Sequence, residues 1–137
     1  MHQVKLQVVI DTNVWISGMV FGGNPERIIK LFIDGSLIVV TSEEMLTELK
    51  RKVSHKFPLY EPYMSAVVAS IREQAIVVQL GTYLVNASRD PDDNMVIETA
   101  LIGGADFIVS GDKDLLVLEK YESVKIVKPA DLLEFIG

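Results

Sequence analysis

Residues 86–118 run as an acidic turn, a helix, a buried strand and a second acidic turn, and few folds accommodate that order. Asp90, Pro91, Asp92, Asp93 and Asn94 carry the signals of a helix start, and Gly103-Gly104 those of a helix end. Ala105 to Ser110 is an apolar run suited to a buried strand, with Gly111, Asp112, Lys113 and Asp114 following at its carboxyl end. A helix over 92–103 would span about 18 Å at ~1.5 Å per residue, enough to carry the chain back across a sheet. The two acidic groups become neighbours if an earlier strand, expected at Ala75 to Leu80, delivers the chain to the same sheet edge.

From the start of the chain, Val4 to Ile10 has the continuous apolar finish of a central strand, and it ends in Asp11-Thr12-Asn13. Val14 to Val20 continues as an apolar turn or helix. Asn24 and Pro25 suit the N-cap and first position of a helix over Glu26 to Asp34, which Gly35 stops. Leu37 to Val40 is a second strand. Thr41 and Glu44 then fit a capping box opening a helix to about Val53, with Met45, Leu46, Leu49 and Val53 as its buried stripe. Glu48 lies on the flank of that stripe. His55 to Tyr63 is expected to link two helices, the second over Met64 to Gln74 with Val67, Val68 and Ile71 inward. Val124 to Val127 is a last strand and Ala130 to Ile136 a short terminal helix. Strands alternating with helices, without a hairpin signal, predict an α/β fold: a mostly parallel sheet of four or five strands with helices on both faces.

Composition narrows the class. At 137 residues the chain makes one domain, residues 1–137, large enough to bury roughly two-thirds of its unfolded surface. Its hydrophobic content of 49% and charged content of 23% argue for an ordered fold. No apolar run approaches the ~20 residues of a membrane span. The opening Met-His-Gln-Val-Lys has no signal-peptide pattern, and the absence of cysteine fits a reducing cytoplasm. His2 and His55 are too few and too isolated for a zinc site. The net charge of −6 does not advertise nucleic-acid binding, so only a local acidic site with its own cation would favour such a substrate.

The residues that carry chemistry are separated acids: Asp11, Glu48, Asp93 and Asp112, with Asp114 behind them. Asp11 and Asp112 each follow an apolar strand, and a parallel sheet places both at the carboxyl edge where such folds bind ligands. Asp90 and Asp92 are expected to act as helix caps, and Glu43, Glu44 and Glu98 to lie on solvated helix faces. Two carboxylates ~4 Å apart repel by about 4 kcal/mol at an effective dielectric of 20. A hard divalent cation relieves that repulsion, and Mg2+ or Mn2+ suits an oxygen-only donor set better than Zn2+. Such an ion can activate water and offset charge on the leaving oxygen of a phosphodiester.

Four segments together resemble the motifs of the PIN-domain family. They are Val9-Ile10-Asp11-Thr12-Asn13-Val14-Trp15, Ser42-Glu43-Glu44-Met45-Leu46-Thr47-Glu48-Leu49, Arg89-Asp90-Pro91-Asp92-Asp93-Asn94 and Ser110-Gly111-Asp112-Lys113-Asp114-Leu115-Leu116. They stand in the family's order across nearly the whole chain and look most like the VapC-like toxins of toxin–antitoxin pairs. The resemblance implies a Rossmann-like α/β/α sandwich, Mg2+- or Mn2+-dependent endoribonuclease activity on an RNA substrate, an antitoxin partner and a homodimer. It makes Asp11, Glu48, Asp93 and Asp112 the metal-binding acids, with Asp114 near a second metal. Asn13 would orient an acid, and Ser110, where the motif usually has Thr, would hold a metal-bound water. Asp93 is preferred to Asp92 because it directly precedes Asn94 and the helix.

Lys50, Arg51, Lys52, Lys56, Arg89 and Lys113 are available to an RNA backbone or, as helix-end charges, to solvent alone. A catalytically silent PIN-like module that binds RNA or a partner protein is the alternative, against which the intact acid quartet argues. A phosphoacceptor domain or an aspartyl-phosphate hydrolase would want a second Asp beside the first strand, where Asn13 stands.

Overall fold

Val8, Val9 and Ile10 offer no polar side chain to water, so the strand they form is satisfied only at the centre of a sheet covered on both faces. In the computed structural model, which describes residues 5–137, all three are buried. The order is β1 (Gln7–Ile10), α1 (Thr12–Val20), α2 (Gly23–Ile33), β2 (Ile38–Ser42), α3 (Glu43–Lys56), α4 (Glu61–Gln74) and β3 (Ile76–Val78). Then come α5 (Pro91–Gly103), β4 (Phe107–Val109), α6 (Lys113–Leu116), β5 (Lys120–Tyr121), β6 (Val124–Val127) and α7 (Pro129–Ile136). The sheet runs β3-β2-β1-β4-β6-β5. Its first five strands in that order are parallel, and β5 alone is antiparallel to its neighbour β6. Alternating side chains feed two cores. Val8, Ile10, Val39, Phe107 and Val109 meet α1, α2, α3, α4 and α7 on one face. Val9, Val40, Ile108 and Ile126 meet α5 and α6 on the other. The α/β/α sandwich expected from the alternation is therefore present.

Several details differ from the sequence-based expectations. The sheet has six strands rather than four or five, because β5 and β6 form a hairpin through Glu122-Ser123. No Asn-Gly or Asp-Gly announces that turn; Glu122 adopts positive φ (52°) in it, as does Glu119 (62°) just before β5. Ser42, the last residue of β2, and not Thr41, caps α3 by accepting from the Met45 amide at 3.3 Å; both residues are buried. The Thr41–Glu44 capping box does not form. The α2 helix starts at Gly23 with Gly22 as its cap, which leaves Asn24 and Pro25 inside the first turn. The α3 helix runs on to Lys56, into the expected linker, and Val67 of α4 is only half-buried. Lys5 and Leu6 lie outside β1, and the expected strand start at Val4 and the isolated His2 lie outside the described residues. β3 is only three residues long, and as an edge strand it leaves Ile76 and Val77 exposed.

The connection from β3 to α5, residues 79–90, has no strand or helix of its own, and α5 side chains hold it in place. Glu98 accepts the Gly81 and Tyr83 amides at 2.7 and 3.2 Å, so it is not the free solvated side chain expected of it. Asn94 accepts the Ala87 and Ser88 amides at 3.0 and 2.9 Å and donates to the Ser88 carbonyl at 3.0 Å.

At its far end α5 lies hard against β2: a Cβ on Gly103 would collide with the buried Val40 side chain. Gly104 is left-handed (φ 65°) but faces open space. Gly103→Ala should therefore cost about 1–3 kcal/mol through overpacking, against roughly 1 kcal/mol for Gly104→Ala through backbone strain alone. Chemical denaturation of the two variants checks that order, and a Gly103→Ala protein as stable as the wild type would contradict the α5–β2 contact.

Candidate metal centre

Strand order reverses at β1, whose neighbours β2 and β4 are reached by crossovers in opposite directions, and the crevice at such a switch point opens at the strands' carboxyl ends. Pairing of Ile10 with Val109 continues one residue further, through the Asp11 amide donating to the Val109 carbonyl at 3.0 Å. Asp11 and Ser110 are thereby held side by side. The Ser110 hydroxyl donates to Asp11 Oδ2 at 2.7 Å and accepts from the Asp112 amide at 3.0 Å. One buried serine thus orients both acids that follow the two strands.

The other acids come from helix starts. Asp90 caps α5, accepting the Asp92 amide at 2.9 Å, and the next turn directs Asp93 inward, where it is 4% exposed. Ser88 donates to Asp93 Oδ2 at 2.9 Å. Asp112 caps α6 by accepting the Asp114 amide at 2.8 Å. One carboxylate oxygen each from Asp93, Asp112 and Asp114 fall within 4.8 Å of one another. Asp114 also faces Arg89 at 3.5 Å.

The crevice, about 90 Å3, is lined by Asp11, Glu48, Asp90, Asp92, Asp93 and Asp112, together with Lys52. Glu48 joins it from the flank of α3, as its position beside the buried stripe anticipates. Arg51 holds it in two bonds, Nε to Oε2 at 3.2 Å and Nη2 to Oε1 at 2.6 Å. Lys52 Nζ donates to Thr12 Oγ1 at 3.0 Å and Asn13 Oδ1 at 3.3 Å, and lies 3.7 Å from Glu48 Oε1. Asn13 thus turns its side-chain oxygen to Lys52.

Burial and like charge make this crevice costly to ionise. Burial pushes the Asp11 carboxyl up against the opposing pull of Ser110 and Lys52. Burial, with Asp112 repelling it, pushes Asp93 up to about 6 despite the Ser88 bond. Burial also raises Asp92, with Glu48 and Asp90 adding repulsion. Glu48 moves down because Arg51 bonds it. Aspartate oxygens converging without sulfur or imidazole form a donor set that suits a hard divalent cation.

The structure therefore gathers Asp11, Glu48, Asp93 and Asp112 at one crevice, with Asp114 at its side and Asp92 on its lining. Arg51, Lys52, Thr12 and Ser88 were not expected there. The spacing of Glu48, Arg51 and Lys52 at i, i+3 and i+4 on one helix was a readable sign for two of them. Nothing in the sequence marks Thr12 or Ser88, whose roles depend on how segments distant in sequence meet.

Residues 7–114, a span that contains all six of these acids, match the PIN domain family. The chain belongs to that family. MJ1680, an uncharacterised protein of Methanocaldococcus jannaschii, is 31% identical to this PIN domain over 147 aligned positions, covering 98% of the chain and 94% of the relative. A crystal structure of VapBC2 from Rickettsia felis bound to a DNA fragment from their promoter matches with a TM-score of 0.59. The match covers 88% of this chain and 97% of that one at 9% identity, so it speaks for the fold alone. Among the described residues no helix is long and apolar enough to cross a membrane.

A folded pKa above the unfolded one stabilises the fold below the lower value, and that contribution is lost as pH rises through the higher one. For Asp93, raised from 3.8 to about 6, the loss is at most about 3 kcal/mol. Asp11 and Asp92 act in the same direction and Glu48 in the opposite one, so the comparison with a single variant reports Asp93 together with the acids it repels. Between about pH 4 and pH 6, metal-free wild type should lose more stability than Asp93→Asn. Denaturant midpoints across that window check it, and parallel profiles would refute the burial of an ionisable Asp93.

Proposed function

We propose that this PIN domain is an endoribonuclease dependent on Mg2+ or Mn2+, with Asp11, Glu48, Asp93 and Asp112 as its metal-binding acids and Asp114 as a further ligand. The observation that carries the reading is the convergence of Asp93, Asp112 and Asp114 oxygens within 4.8 Å at the end of β4. When bound, the ion supplies an activated water and charge compensation at the leaving oxygen of a phosphodiester. The chain's own residues do the positioning. Ser110 fixes the rotamer of Asp11 and the backbone of Asp112 at once. Ser88 fixes one oxygen of Asp93, and the cap on α6 fixes one oxygen of Asp112, so each carboxylate keeps a second oxygen for the ion. Among the described residues no histidine lines the crevice, so none of them offers an imidazole for metal-free acid–base cleavage.

The toxin reading rests on the motif resemblance, and the VapBC2 structure agrees with it in fold. A protein partner or second copy would have apolar surface to cover: Phe21, Ile33, Leu59 and Tyr63 are all exposed. The protein is then a homodimer or the toxin member of an antitoxin complex in the cytoplasm, and a short antitoxin-like reading frame beside its gene would support the second. The alternative, a silent module binding RNA or a protein, has one observation in its favour: both Glu48 oxygens are engaged by Arg51.

Purified protein should cleave single-stranded RNA with added Mn2+ and stop with EDTA. Asp11→Asn and Asp93→Asn should each lower turnover by at least about 100-fold, since even residues that only support metal ligands typically cost 10–100-fold. Ser110→Ala, which removes such a support, should fall in that lower range, and Asp92→Asn should cost less than Asp93→Asn. Equal cleavage by wild type and Asp11→Asn would identify a contaminant, and no cleavage by either would favour the silent module.

A further inference from the structure

The metal crevice, about 90 Å3, is well below the roughly 300 Å3 at which ligand pockets begin, so the sugar and base attached to a bound phosphodiester must lie outside it. Beside it opens a larger cavity of about 410 Å3. Asn13 lines both. Gly111, between Ser110 and Asp112, also lines the cavity, and a Cβ there would meet only open space, so the boundary between the two is low. The sheet sets the far side. Ile10, Val109 and Val127 are register partners across β1, β4 and β6. The residues that follow them, Asp11, Ser110 and Lys128, stand in a row along the carboxyl edge, with the Ser110 amide donating to the Val127 carbonyl at 2.9 Å. Two strand spacings place Lys128 about 10 Å along that edge from Asp11. Lys128 lines the cavity, is exposed, and enters no ion pair among the described residues. Val14 and Ser17 of α1 and Asn24 and Pro25 of α2 line it opposite.

We propose that this cavity is a nucleotide subsite for the RNA substrate: it takes the ribose and base next to the scissile phosphodiester, and Lys128 binds the phosphate beyond them. The inference rests on the nuclease reading above and adds the direction in which the strand leaves the metal centre. Charge decides between the exits. Toward α5 the strand would pass Asp90 and Asp92, which line the crevice and repel its phosphates. Toward α7 it meets Lys128, and among the described residues none that lines the cavity is acidic. A chain of net charge −6 draws in a polyanion only where cations are local, so that one ammonium carries weight. Val14, Pro25 and Pro129 offer apolar surface to a base. Ser17 and Asn24 offer hydrogen bonds to its edge, and the Asn24 oxygen is held only by a long 3.4 Å bond from Arg27.

The test is fluorescence anisotropy of a fluorescein-labelled, mixed-sequence single-stranded RNA at fixed Mg2+, titrated over a range of KCl with the full chain carrying Asp93→Asn to suppress cleavage. In that parent, Lys128→Ala should weaken binding and lower the slope of log affinity against log salt by about 0.7, the loss of one phosphate contact to a single strand. Ala130→Leu, which fills the cavity from its exposed rim, should weaken binding and leave the slope unchanged. Lys5→Ala removes the same charge beyond the opposite end of β1 and should bind as the parent does. Melting curves confirm that each variant is folded. A Lys128→Ala slope equal to that of the parent would overturn the proposal, as would parent-like binding by Ala130→Leu or a Lys5→Ala loss as large as that of Lys128→Ala. Binding of no RNA by the parent would also overturn it. Mn2+-dependent cleavage by the wild type, measured beside these titrations, shows whether the nuclease reading stands when this inference fails.

Discussion

The hydrogen bond from the Asp11 amide to the Val109 carbonyl, 3.0 Å long, carries the β1–β4 ladder one residue past the end of β1, and the crevice depends on it. Parallel pairing in this register puts the first residue after β1 beside the first after β4. A one-residue slip would turn Val8 and Ile10 to the opposite core and carry Asp11 away from Ser110. Because Val8, Val9 and Ile10 are buried by different helix layers, the cores themselves oppose such a slip. Hydrophobic burial thus fixes the position of two carboxylates without touching either.

From that edge the remaining acids are brought in by helix ends. Asp93 arrives because Asp90 caps α5 and because Asn94 and Glu98 hold the preceding connection against the helix. Glu48 arrives because α3 lies across the same edge with one flank facing the crevice. The helix also delivers its own cations, and the result is a crevice whose charge is compensated unevenly from one side to the other.

The layout was legible where burial pattern and chain order dictate it. The apolar finish of β1, the stripe Met45, Leu46, Leu49 and Val53, and the Gly103-Gly104 stop all appear in the structure close to where patterning puts them. Acids directly after strands were legible for the same reason, since strand ends fix position. The cap of α3 was not, because Thr41 and Ser42 are adjacent hydroxyl residues, both buried, and where β2 ends decides between them. The β5–β6 hairpin was hidden because a glutamate, Glu122, occupies a backbone conformation that usually advertises itself with glycine or asparagine. Lys52 was hidden for a further reason: a basic helix end is usually solvated, and only the fold shows that Thr12 and Asn13 receive it.

The cap bonds of Asp90 and Asp112 carry one more implication. Each is an aspartate whose carboxylate satisfies a backbone amide at the start of a helix. For that duty asparagine and serine serve about as well, so folding places no premium on the negative charge. A lineage could therefore lose the charge of Asp112 in a single substitution and keep its helix, its sheet and its other contacts. Such descendants would remain folded PIN domains with a vacant carboxylate arm, free to be kept for binding alone. In this chain the charge survives at both caps and at five further positions around them, Asp11, Glu48, Asp92, Asp93 and Asp114, none of which caps a helix through its side chain.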